Sequence, residues 1–299
     1  MFSSLKVLLA AIVDYAGLFP PAKLSLEKAI ANFIQYNQTP SNWFLGRFVV
    51  PVSRLLELEL LLNNGALKNT LAKPYSLSVI LSENWQLGLK QIQAFNNSNK
   101  LRIASIEFKP LPPEEIKQAI LHLPQGIESF FEIPLADSPS QNLETYLAVL
   151  QNTNASAKIR TGGLTAETFP KIDKLCQFIF ASARTKVPFK ATAGLHHLLP
   201  GKYPLTYEPN SLSSSMQGFL NLSILASLVY WQKLTSDEAS RVLQESSINS
   251  FQVQEDNIVW KDRQLNLSEL RQARQYFFRS FGSCSFQEPL DELRELQLL

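Results

Sequence analysis

The chain has 299 residues, 45% of them apolar, which is enough for one large α/β barrel or two smaller domains. Its 28 basic and 26 acidic residues leave a formal charge of +2 with no lysine or arginine block, so no nucleic-acid surface is marked. Two cysteines, Cys176 in a helical pattern and Cys284 in a Ser-Cys-Ser turn, have neither zinc-binding nor disulfide spacing and fit a reducing cytoplasm.

The N-terminus carries a short apolar stretch with a weakly charged flank and no clear cleavage site; it reads as the first element of the fold, a strand over 7–13. From there, short β-branched or aromatic runs alternate with helical patterns, as βαβ units do. Strands are expected over 45–51, 75–81, 102–109, 128–134, 156–161 and 188–193, with helices over 24–37, 53–63, 84–97, 113–122, 140–151 and 166–185. Pro112-Pro113-Glu114-Glu115 marks one helix start and Thr165 another, and the leucine-rich stretch 55–62 reads as a buried barrel helix. No Gly-x-Gly-x-x-Gly follows the first strand, so the expected fold is a closed (β/α)8 TIM barrel, one domain over 1–299. Its eighth strand is either 278–282, followed by a helix start at Glu288-Pro289-Leu290-Asp291, or 250–253 with 258–260 as hairpin partner. In both cases 196–277 is a mostly helical insertion, with helices over 212–232, 235–246 and 267–277. It either covers the barrel mouth or carries an interface for a second subunit of a homo-oligomer. The apolar run 218–231 is broken by Asn221 and Ser223 and is too short to cross a bilayer, so no membrane contact is expected.

Lys158, in Ala-Lys-Ile-Arg-Thr-Gly-Gly, and Lys190, in Pro-Phe-Lys-Ala-Thr-Ala-Gly, lie inside two of these strands, 32 residues and one βαβ unit apart. A buried ammonium group must be paired or lose its proton, so two such lysines on neighbouring strands suggest a site. Strand alternation puts Lys158 with Arg160, Lys190 with Thr192, and Glu107 with Lys109 on common faces. Together with Arg47 and Glu132 they form the expected lining, five cations against two carboxylates, which would draw a small anionic metabolite. Crowded cations also favour a neutral amine, the form that attacks carbonyls. His196 and His197 follow a strand end, where adjacent side chains point apart, so at most one is expected to face the site. Asp14-Tyr15, before Gly17 and Pro20-Pro21, forms either a site loop or a tight turn. The Gly282-Ser283-Cys284-Ser285 loop either offers backbone amides to a phosphate or simply connects strand to helix. Cys284 has no assignable partner as a nucleophile, and no acid or histidine at i+3 or i+4 completes a metal set around the histidines.

Lys158-Ile-Arg-Thr-Gly-Gly followed by Lys190-Ala-Thr-Ala-Gly resembles the two lysine strands of deoxyribose-phosphate aldolases, class I aldolases on a (β/α)8 barrel. The resemblance implies that Lys158 on strand six forms a Schiff base and that Lys190 on strand seven keeps it nucleophilic and helps proton transfer. Glu107 stands where that family has an aspartate, Arg160 where it has a small polar residue, and 196–277 has no counterpart. The blocks Asp14-Tyr-Ala-Gly-Leu-Phe-Pro-Pro-Ala, Leu45-Gly-Arg-Phe-Val-Val-Pro and Gly194-Leu-His-His also resemble a family of uncharacterised bacterial proteins, which implies no activity. The expected function is therefore a cytoplasmic, aldolase-like lyase acting on a small anionic carbonyl compound, with Glu107 or Glu132 moving protons and no cofactor. Arg47, Arg160 or the amides of Ser283 and Ser285 would hold the anion. Two rival readings stand beside it: a non-catalytic barrel that binds a metabolite or partner, its lysines in a structural ion network, and a metal-assisted enzyme using Glu107, Glu132 and a histidine.

Overall fold

The computed structural model describes residues 1–63, 74–95, 100–135 and 142–299. Eight parallel strands close into a barrel: β1 (Val13–Tyr15), β2 (Leu45–Pro51), β3 (Tyr75–Ile80), β4 (Leu101–Phe108), β5 (Glu128–Glu132), β6 (Ala155–Arg160), β7 (Phe189–Thr192) and, last in the ring, Phe278–Ser283. The last strand pairs with both β7 and β1 and closes the ring. The helices α2 (Leu26–Asn37), α3 (Leu55–Asn63), α4 (Trp85–Phe95), α5 (Pro113–Ile120), α6 (Leu143–Leu150) and α7 (Ile172–Thr185) follow the first six and wrap it. Each buries one apolar stripe; the leucine-rich stretch, expected as a buried helix, is α3 and is buried on one face only, through Leu55, Leu58 and Leu62, while Leu56 and Leu60 face water. Residues 96–97 and 140–141 of the expected helices lie outside the described residues.

The expected strand over 7–13 is instead a helix, α1 (Ser3–Leu9), and β1 starts only at Val13 after a turn through Ala11. The buried residues Ser4, Leu5, Leu8 and Leu9 recur at helical spacing. A short apolar run without clear punctuation does not distinguish helix from strand, and packing against the C-terminal helix α10 (Leu267–Tyr276) decides it. The helix expected from 166 begins at Ile172, because Pro170 keeps Phe169 extended and leaves only a 3₁₀ turn at Ala166–Thr168.

Of the two candidates for the eighth strand, Phe278–Ser283 is the barrel strand. The alternative, β10 (Phe251–Val253), pairs antiparallel with β11 (Asn257–Trp260), which pairs with β12 (Arg263–Asn266), in a small separate sheet. The insertion also holds α8 (Phe219–Tyr230), α9 (Ser236–Gln244) and a hairpin of β8 (Gly201–Pro204) and β9 (Ser213–Met216). Residues 213–216, expected as helix, are a strand because they pair with β8. Every residue of α8 from Phe219 to Val229 is buried, because barrel strand β13 (Phe278–Ser283), α7, α9 and α10 surround it. The chain ends in α11 (Gln287–Glu295). No helix among the described residues is long and apolar enough to cross a membrane.

Candidate active site

The outward faces of the strands carry the apolar side chains, among them Phe48, Val79, Phe108, Phe131, Ile159, Ala191 and Phe281, all buried under the helices. The inward faces are charged to an unusual degree for a barrel, whose interior is ordinarily filled by branched apolar residues. The contacts that cross between non-adjacent strands establish this. Lys190 on β7 reaches Glu107 on β4 at 2.7 Å and Asp14 on β1 at 2.5 Å. Lys158 on β6 lies 3.4 Å from Glu107 and 3.0 Å from Glu132 on β5. Register explains the convergence: Glu132, Lys158 and Lys190 are successive Cα partners across β5, β6 and β7, so their side chains leave the sheet on one face and at one height.

The two ammonium groups therefore share the Glu107 carboxylate, Lys190 at Oε1 and Lys158 at Oε2. Ser78 donates to Oε1 at 2.7 Å and receives a hydrogen bond from Ser105 at 2.7 Å. Burial pushes Glu107 upward, but Lys190, Lys158 and the hydrogen bonds from Lys190 and Ser78 outweigh it and hold the carboxyl well below its ordinary range. Asp14 behaves likewise: burial raises it, yet Lys190, Arg47 and Ser280 hold it low. Burial works against the Lys190 charge, but Asp14 and Glu107 overcome it and raise its pKa above the ordinary lysine value. Lys190 is thus favoured as a cation between two carboxylates.

Above this layer, at the C-terminal ends of the strands, lies a cavity of about 930 Å³. Glu107, Glu132 and Lys158 form its charged floor; Lys109, Arg160 and Thr192 also line it. Arg160 is half exposed, with Nε 3.4 Å from Glu132, and Lys109 is half exposed, 3.6 Å from Glu83. Phe19, Leu164, Phe169, Leu205 and Met216 supply apolar wall, the last two from the β8–β9 hairpin and the residues that follow β8. The hairpin thus covers part of the mouth, one of the two roles expected for the insertion.

The histidines depart from expectation. Both line the cavity, since 194–200 is not a strand and alternation does not apply. His197 contacts Glu292 at 2.5 Å through Nδ1 and stacks on Tyr203 with ring centroids 3.4 Å apart. His196 Nδ1 lies 3.2 Å from Ser283 Oγ and 3.9 Å from Cys284 Sγ, and burial lowers its pKa to about 4, so it is neutral at pH 7. Burial likewise pushes the Cys284 thiol up, with Tyr207 Oη 3.5 Å away, so Cys284 is a thiol and a poor nucleophile.

Other expected residues stand elsewhere. Asp14 is not a mouth residue; it is buried beneath Lys190, accepting from Ser280 Oγ at 2.7 Å and from the Arg47 amide at 3.0 Å. Arg47 sits at the opposite, N-terminal end of the barrel and bonds Glu128. Ser283 and Ser285 do not line the cavity: Ser283 Oγ meets His196 and the Ser285 amide, and Ser285 Oγ accepts from the Glu288 amide at 3.1 Å at the start of α11. The expected cationic lining is also corrected. Around the cavity, Lys109, Lys158 and Arg160 face Glu107, Glu132, Glu208 and Glu288. The set of Glu107, Glu132 and a histidine needed for a metal is not assembled, since among the described residues no three His, Cys, Asp or Glu side chains are grouped to hold an ion. The carboxylates are held by lysines instead.

Sequence reasoning missed Glu128, Ser78, Ser105 and Ser280. Parity alone could have found Glu128, which lies four residues before Glu132 on the same strand face. Compared with known proteins, the chain matches no family model, no curated protein and no solved structure.

Proposed function

We propose that this protein is an aldolase-like lyase that forms an imine between Lys158 and a carbonyl compound. The observation that carries the reading is the position of Lys158: a buried lysine at the floor of a large cavity, with Glu132 at 3.0 Å and the charge-saturated Glu107–Lys190 pair beneath it. Nζ loses a proton to Glu132 and attacks the carbonyl carbon, and the former carbonyl oxygen leaves as water to give the iminium. The iminium accepts the electron pair of the neighbouring C–C bond while the β-hydroxyl of the substrate loses its proton. A carbonyl fragment departs, and protonation and hydrolysis of the remaining enamine restore Lys158. Lys190 stays charged throughout and fixes Glu107. Arg160, two residues beyond Lys158 on the same strand, holds a carboxylate or phosphate of the substrate at the rim, and the apolar wall receives its body.

One observation favours a second reading. Each lysine is already paired with two carboxylates, as in a structural ion network, and the barrel would then bind a metabolite without turnover. Borohydride treatment with a panel of aldehydes and ketones, some bearing a carboxylate or phosphate, separates the two by intact mass. The lyase reading expects a reduced adduct that Lys158→Ala abolishes; ligand binding with no adduct across the panel supports the second reading and overturns the first.

A further inference from the structure

The barrel has a second large cavity at the N-terminal end of its strands, with a volume of about 860 Å³. Three arginines line it, Arg47 on β2, Arg102 on β4 and Arg279 on β13, together with Glu128 and Asp14. Glu128 is held from both sides, by Arg47 Nη2 at Oε2 and by Arg279 Nε at Oε1, the latter at 2.5 Å. Asp14 faces the other way as well, committed to Lys190 at 2.5 Å, while Arg47 Nη1 stands off at 4.0 Å. Arg47 and Arg279 thus share the Glu128 carboxylate, and the exposed Arg102 adds a third guanidinium to the lining. A fourth stands behind them: Arg274 gives its two Nη groups to the carbonyls of Phe278 and Ala10, and its Nε is buried without a partner. Burial, and then the adjacent Arg279, disfavour the Arg274 charge and lower its pKa to about 9.

An excess of planar, bidentate donors in a concave pocket is the chemistry that recognises oxyanions. We propose that the N-terminal cavity binds a small multivalent oxyanion, a phosphate or polycarboxylate, at Arg47, Arg102 and Arg279. It is separate from the cavity over Lys158, which opens at the other end of the strands. A free anion and an anionic metabolite share this chemistry.

Calorimetric titration with inorganic phosphate and with citrate, at ionic strength held constant with sodium chloride, tests it. The wild-type protein should bind one or both. Arg102→Gln and Arg279→Gln should each weaken that binding about tenfold or more, the cost of a lost charged hydrogen bond. Arg160→Gln and Lys158→Ala, both at the other cavity, should retain it. Arg102 is exposed, so Arg102→Gln decides the matter even if Arg279→Gln fails to fold. Absence of binding by the wild type, binding that survives Arg102→Gln, or binding removed by Arg160→Gln overturns the proposal. None of these outcomes bears on imine formation at Lys158.

Discussion

Glu107 is the residue on which the charged layer depends, because both lysines lean on its one carboxylate. Glu107→Gln keeps the shape and removes the charge, leaving two buried ammonium groups under-compensated. Breaking a buried pair in this way typically costs about 3–5 kcal/mol. Urea unfolding should register a loss of that size; a loss below about 1 kcal/mol, the value of an exposed pair, would show that the layer is more hydrated than its burial implies. His196 makes a pH-dependent contribution of definite sign. Its folded-state pKa lies below the ordinary 6.5, so the stability it confers is complete above pH 6.5 and is lost as pH falls toward about 4. Glu107 and Asp14 are also held low and extend the acid loss below their ordinary values of 4.5 and 3.8. His196→Asn should flatten the stability profile between pH 6.5 and 4 and leave the lower limb in place; an unchanged slope in that interval would contradict the buried, neutral imidazole.

At the scale of elements, the glycines that close the two lysine strands have a steric reason. Gly194 follows β7 with φ +76°, and a Cβ there would lie 2.7 Å from the Thr161 carbonyl oxygen and 2.8 Å from Gly162 Cα. The ends of β6 and β7 touch at this point, and Thr161 ties them further by donating from its amide to Thr192 O at 2.9 Å and from its hydroxyl to Ala193 O. Gly194→Ala should cost about 2 kcal/mol or more, from strain at positive φ together with the backbone clash, read as a lower unfolding midpoint. A neutral substitution would mean that the two strand ends separate freely. These strands were legible in the sequence because each is a short apolar run with a polar residue on alternate positions and a glycine at its end. Helix α1 was not, since its seven residues are too short a run to fix a period, and the antiparallel β8–β9 pairing is set by contacts between segments rather than by either segment alone. The same limit applies within the site. Lys158 and Lys190 were found as cations inside apolar strand runs, Glu107 by strand parity and Glu132 by its place near a strand end; none of these signals gives height along the barrel, so Arg47 was drawn to the wrong end, and Asp14 was read as loop because the first strand was expected to end at 13.

For the whole molecule, height along the barrel axis divides the charges into three levels. Arg47, Glu128 and Arg279 occupy the N-terminal end, Asp14, Lys190 and Glu107 the middle, and Lys158, Glu132 and Arg160 the C-terminal end under the cavity. The last level lies under the C-terminal cavity, where we propose that Lys158 is the nucleophile. The most direct test is peptide mapping of the protein after borohydride reduction in the presence of an aldehyde that gives an adduct. The account predicts one modified peptide, carrying the reduced imine on Lys158, with Lys190 unmodified. An adduct on Lys190, or spread over surface lysines with Lys158 untouched, would contradict it.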